Sequence, residues 1–207
     1  MLAQFGAQPG DNPGRLQRWV FGDTPVYLDY AHNPDGLRGL LEVAAAGRAG
    51  RLGLVLGQAG NREDADIRAL AAAAASFGPD RVVLKDIESF LRGRAPGEVA
   101  AILREELLRQ GMPETALRVC LEEVRAAAEL LEWAAPGDVL VMPIHNSDAR
   151  DAVVALLEQG GVQTDLAEFV DQHGGLGSGR VLQPLPEQRG LAAAQRAREH
   201  AHGQACI

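Results

Sequence analysis

Lysine is almost missing from this 207-residue chain. Lys85 is the only one, and no Gly-Lys-Ser or Gly-Lys-Thr occurs anywhere, so the chain carries no P-loop of its own. Every other residue among the 20 Lys and Arg is arginine, so a side-chain contact to an anion has to come from Arg, His or a hydroxyl. Cysteine is as scarce. Cys120 and Cys206 stand far apart without metal-ligand spacing, which excludes a disulfide framework and a cysteine metal site and reads as two reduced thiols. Long apolar runs are absent: no stretch of about 18 apolar residues exists to span a membrane. Met1–Gly14 has neither the basic region nor the apolar core of a signal peptide. Excess positive charge is absent too, and a net charge of −8 excludes non-specific nucleic-acid binding. The expectation is a cytoplasmic protein with neither nucleic acid nor membrane as partner, and with no metal ligands of its own.

What is present is alternation. Short apolar runs at Val26–Asp29, Leu52–Leu56, Arg81–Lys85, Leu117–Leu121 and Val139–Met142 read as strands. Between and after them Pro34–Ala46, Asp64–Phe77, Gly97–Gln110, Glu122–Ala135 and Ala149–Gln159 read as helices. Strands alternating with helices of about 11–15 residues predict an α/β, Rossmann-like layer sandwich: a mostly parallel sheet of about five or six strands flanked by helices. Residues 1–22, rich in Gly, Pro and Gln, read as a lead-in, 23–160 as the α/β domain, and 161–207 as a flexible C-terminal extension. In that extension Gly174–Gly179 looks like a linker, because no strand precedes it and no helix follows as a phosphate loop would require. Gly190–His202 reads as a terminal helix.

The densest polar chemistry is Asp29-Tyr30-Ala31-His32-Asn33-Pro34, between a strand and a helix start. Open α/β sheets collect ligands at the carboxyl ends of strands, and helix N-termini favour anions. Asp29 suits either ribose hydroxyls or a helix cap. Asn33, directly before Pro34, suits the cap better. His32 offers a proton switch near neutral pH beside a phosphate or carboxylate. After the second strand, Gly57-Gln58-Ala59-Gly60-Asn61-Arg62 is either a plain turn or a close backbone approach with Arg62 aimed at an anion. Leu91-Arg92-Gly93-Arg94 is either a solvated charged loop or a clamp for carboxylate or phosphate. Asn146 or Ser147 caps the last helix. Every one of these loops follows a strand, so a parallel sheet gathers them on one rim.

These residues resemble the C-terminal domain of the Mur ligase superfamily, the ATP-dependent acid–amino-acid ligases. The likeness covers about residues 10–150 and is greatest to the cyanophycin synthetase branch. Asp29–Pro34 is similar to the family's Asp-Tyr-Ala-His-Asn/Thr-Pro signature. Asn12-Pro13-Gly14-Arg15 is similar to the Gly-Arg that opens the domain, Gly60-Asn61-Arg62 to its Gly-Asp-Arg, and Arg92-Gly93-Arg94 to an Arg-Gly-Arg. Gly97-Glu98-Val99-Ala100 and Pro136–Leu140 fit the same branch. Asn61 departs from the family's Asp. The resemblance implies nucleotide binding by Arg15, Asp29, Tyr30, His32 and Asn33, with His32 also catalytic near phosphate or the acyl phosphate. Arg62, Arg92 and Arg94 would bind substrate, the two later arginines in the region that recognises the incoming amino acid. It also implies ATP and Mg²⁺, both held through a P-loop ATPase domain absent here. Three readings stay open: a ligase half-site completed by a P-loop-bearing subunit, a non-catalytic nucleotide- or amino-acid-binding module, and a fragment of a longer ligase.

Overall fold

The computed structural model describes residues 16–46 and 48–164 of the chain. Arg15, Gly174–Gly179 and Gly190–His202 lie outside the described residues. Seven strands form one sheet: β1 (Gln17–Phe21), β2 (Thr24–Asp29), β3 (Leu52–Leu56), β4 (Arg81–Leu84), β5 (Leu117–Val119), β6 (Val139–Pro143) and β7 (Gly161–Thr164). Their spatial order is β5-β4-β3-β6-β2-β1-β7. The five strands from β5 to β2 are parallel, while β1 runs antiparallel to both β2 and β7.

Successive side chains on a strand point to opposite faces, and here both faces are apolar. Tyr27, Leu54, Val82, Leu84 and Val141 face α1 (Pro34–Ala46), α2 (Asp64–Ala75) and α3 (Glu98–Arg109). Val26, Leu28, Val55, Val83, Leu140 and Met142 face α4 (Glu123–Trp133) and α5 (Ser147–Gly160). That is why the strands read as continuous apolar runs: a parallel sheet is covered on both sides. The chain steps from β2 past β6 to β3, β4 and β5, then returns through α4 to insert β6 between β3 and β2. The reversal opens a crevice at the carboxyl ends of these strands, the usual ligand position in such sheets.

The α/β expectation and the helix positions agree with the structure to within a few residues. The sheet's antiparallel edge is an addition to it. Residues 17–21, which the sequence pattern assigns to a lead-in, form β1, which turns through Gly22-Asp23 into β2, with Gly22 at φ 58°. Trp19, opposite Val26, is buried on the α4/α5 face, so a two-residue turn and one anchoring aromatic make a hairpin of that segment. β7 likewise continues the sheet beyond residue 160. Cys120 is buried, and Cys206 lies outside the described residues. Among the described residues no helix is long and apolar enough to cross a membrane.

Candidate functional site

Four loops meet at the carboxyl rim, and hydrogen bonds lock them together. The loop after β2 is joined to the loop after β3 by Gln58, buried, whose side-chain amide donates to the His32 carbonyl at 2.9 Å. The loop after β3 is zipped to the loop after β4: the Gly60 N–H donates to the Phe90 carbonyl at 2.8 Å. A Cβ on Gly60 would lie 2.0 Å from the Leu91 carbonyl oxygen, so only glycine permits this approach. The loop after β6 is held from below by Glu123, whose two carboxylate oxygens accept the N–H groups of His145 (2.9 Å) and Asn146 (3.0 Å).

Between the loops lies a cavity of about 220 Å³ lined by Tyr30, His32, Gln58, Ala59, Asn61, Arg62, Ile87, Phe90, Arg92 and His145. Among the described residues no carboxylate lines it. Arg62 and Arg92 carry no ion pair among the described residues, and Arg92 lies over the Phe90 ring at 5.1 Å. Arg92 also has φ 51°, a left-handed conformation rarely adopted outside glycine, held at the rim of the cavity. His32 Nδ1 lies 3.2 Å from the Tyr30 carbonyl. A carbonyl only accepts, so Nδ1 carries a hydrogen and Nε2 is the nitrogen left for a ligand. The Tyr30 ring stands edge-on to both His32 (5.7 Å) and His145 (5.3 Å).

Of the residues singled out from the sequence, Tyr30, His32, Arg62 and Arg92 therefore share one cavity. Asn33 caps α1, its Oδ1 accepting the Gly36 N–H at 2.8 Å, and Asn146 caps α5 through the N–H groups of Asp148 and Ala149. Asp29 lies beside the cavity and not in its lining: its Oδ2 accepts the Leu16 N–H at 2.5 Å, fastening the start of β1. Arg94 does not reach the cavity either. Its guanidinium donates to the Gly60 and Arg62 carbonyls (both 2.9 Å), to Asp64 (2.7 Å) and to Glu98 (2.7 Å). It is a latch for the loop that presents Arg62. The hydrogen bonds and charges of Asp64 and Glu98 raise its already high pKa.

Lys85 and Glu123, to which the sequence pattern assigns no role, sit beneath the lining and bond to His145, which is part of it. Lys85, fully buried, places Nζ 2.5 Å from Glu123 Oε1 and 3.1 Å from His145 Nδ1, while His145 Nε2 is 3.0 Å from the Ala31 carbonyl. Burial pushes the Lys85 ammonium below its usual range despite Glu123. Burial alone would raise the Glu123 carboxyl, but hydrogen bonding from His145 and the Lys85 charge bring it down to about 2. In the sequence Lys85 is simply the last residue of a strand. The one available signal is a lone lysine in an arginine-rich chain, placed directly after an apolar run.

One family matches most of the described residues. Residues 14–143 match the family described as Mur ligase, glutamate ligase domain. The chain belongs to that domain family. Cyanophycin synthetase of Synechocystis sp. is 32% identical over 152 residues, which make up 73% of this chain and 17% of that protein. UDP-N-acetylmuramoyl-L-alanyl-D-glutamate–2,6-diaminopimelate ligase of Corynebacterium efficiens is 34% identical over 135 residues, 63% of this chain and 25% of that enzyme. A solved structure of a ligase of that same name superposes with a TM-score of 0.54 at 23% identity, covering 70% of this chain and 32% of its own, a likeness of fold. The chain thus corresponds to a third or less of the length of each of these three relatives.

Proposed function

We propose that this chain is the C-terminal domain of an ATP-dependent acid–amino-acid ligase, which closes over a nucleotide and an acid substrate held by a P-loop-bearing domain. The observation that carries the proposal is the cavity at the sheet's switch point, lined by Arg62, Arg92 and His32 and, among the described residues, by no carboxylate. Two arginines and an imidazole in a concave site suit the carboxylate of an incoming amino acid, or a phosphate. A volume of about 220 Å³ is below the roughly 300–1,000 Å³ of a complete small-molecule site. It suits half of a site whose other wall comes from elsewhere.

The residues fit an anion and not a cation. Mg²⁺ takes oxygen ligands, chiefly carboxylates and phosphates, and the described lining offers no carboxylate, so this reading leaves the metal to the P-loop side. Bound ATP supplies the phosphoryl group that activates the acid for attack by the amine. The chain's own residues orient the partners. Arg62 and Arg92 fix the amino acid by its carboxylate so that its amine faces the activated carbon, and His32 in its protonated form donates from Nε2 to the transferred phosphoryl group. Asp29 retains Oδ1 for a ribose hydroxyl while Oδ2 holds Leu16. Tyr30 lies beside the base. Asn33 acts through its helix cap. Much of the rate gain in such a reaction comes from positioning of this kind.

The test is calorimetric titration of Mg²⁺-ATP and of amino acids into the chain, alone and with a P-loop-bearing ligase domain, followed by steady-state kinetics of the pair. The proposal expects binding that strengthens in the pair. It expects Arg92→Ala to raise the amino-acid KM by about 10-fold or more, as loss of a charge-assisted contact of roughly 1.5–3 kcal/mol predicts, with ATP use nearly unchanged. An unchanged amino-acid KM removes the assignment of Arg92. Absence of any nucleotide effect in the pair leaves a binding module without ligase activity.

A further inference from the structure

Lys85, Glu123 and His145 are buried and joined to one another, and the anion-binding roles given to Arg62, Arg92 and His32 do not use them. They come from the residue after β4, the first residue of α4 and the loop after β6. Their bonds leave little choice of protonation. An ammonium only donates, so His145 Nδ1 accepts from Lys85. A carbonyl only accepts, so His145 Nε2 carries the hydrogen it gives to Ala31. His145 is thereby held neutral in one tautomer, and burial with the Lys85 charge also keeps its pKa below the ordinary range. Ala31 lies between Tyr30 and His32, whose side chains line the cavity, and the Tyr30 ring leans on His145.

We propose that Lys85, Glu123 and His145 form a positioning relay: Lys85 holds His145 as the Nε2–H tautomer, and His145 sets the Tyr30–His32 wall of the cavity through the Ala31 carbonyl. The relay rests on the ligase reading only for the identity of the ligand. A buried ion pair is a weak source of stability, because desolvating two charges offsets their attraction. Fixing the orientation of a third group is a role it fills better. The groups facing His145 are Tyr30 and Ala31 from the loop after β2, Lys85 after β4 and Glu123 on α4, with His32, Arg62 and Arg92 across the cavity. Among the described residues Glu123 is the only anion hydrogen-bonded within the cluster, and the Asp86 carboxylate also acts on Lys85 through its charge. Glu123 Oε1 lies 3.7 Å from His145 Nδ1, so without Lys85 the imidazole gains a reason to protonate Nδ1 and turn toward the carboxylate.

Long-range ¹H–¹⁵N spectra of the chain read the tautomer directly, without any ligase activity. Wild-type His145 is expected to be neutral and Nε2–H between about pH 5 and 8, where an ordinary histidine titrates. Lys85→Met is expected to place a hydrogen on Nδ1, raise the His145 pKa and shift the Tyr30 and His32 signals. A second pair reads the lower half of the relay even if that variant fails to fold. His145→Gln keeps an amide N–H near the Nε2 position and is expected to leave the Tyr30 and His32 signals in place. His145→Asn stops short of Ala31 and is expected to move them. A protonated or Nδ1–H His145 in the wild type overturns the relay, and so does an Asn variant that behaves like Gln. Failure of the ligase reading would appear in the calorimetry and leave these spectra unchanged.

Discussion

Gly57 and Lys85 face each other across neighbouring strands so closely that a Cβ at position 57 would lie 2.8 Å from the Lys85 carbonyl oxygen and 2.9 Å from its Cγ. The glycine after β3 therefore makes room for the buried lysine as well as turning the chain. Gly57→Ala is expected to destabilise the domain by about 1–3 kcal/mol, the usual cost of overpacking. Gly39, exposed on α1 with nothing within 4 Å of where a Cβ would sit, gives the control. There the same substitution is expected to stabilise by about 0.5–1 kcal/mol, from helix propensity alone. Urea denaturation of the two variants measures both, and equal effects would show that Lys85 does not occupy the space beside Gly57.

The Glu123 carboxyl makes stability depend on acid. Its folded pKa of about 2 lies below the ordinary 4.5, so its contribution is present above pH 4.5 and is lost as pH falls toward 2. At about 1.4 kcal/mol for each tenfold change in proton affinity, the loss is roughly 3 kcal/mol. Glu123→Gln is expected to flatten that part of the stability–pH curve and, by leaving buried Lys85 without the carboxylate bonded to it, to lower stability at neutral pH by about 3–5 kcal/mol. Denaturation midpoints collected from pH 2 to 7 test it. A variant whose curve keeps the wild-type slope would show that another carboxylate is responsible.

Arg92 and Arg94 are two residues apart and are expected to behave oppositely. Arg92 holds φ 51° and makes no ion pair among the described residues, so Arg92→Gly removes backbone strain. It is expected to stabilise by about 1 kcal/mol while weakening anion binding. The Arg94 guanidinium makes four hydrogen bonds within the protein. Arg94→Ala is expected to cost about 1–3 kcal/mol and to speed amide exchange at Gly60 and Arg62, whose loop it latches. Thermal melting with hydrogen exchange separates the two. If Arg94→Ala melts like wild type while Arg92→Gly is destabilised, their roles are reversed.

The period of the sequence determined most of the architecture. Apolar runs such as Leu52–Leu56 can be buried on both sides only in a covered parallel sheet, and Asn33-Pro34 marks a helix start because a cap and its preset φ are local chemistry. Strands that alternate with helices put every following loop on one rim, so the meeting of Tyr30, His32, Arg62 and Arg92 was legible from one dimension. The hairpin at Gln17–Phe21 was less so, since a five-residue strand next to Gly and Pro has too little pattern to outweigh its neighbours. Tertiary structure alone decided which arginine faces the cavity and which serves as a latch, because Arg92 and Arg94 are chemically identical and differ only in what surrounds them. It alone also decided the Lys85–Glu123–His145 cluster, whose members lie 22 to 60 positions apart. Their burial, pairing and tautomer are properties of a shared space, which no local pattern in the chain encodes.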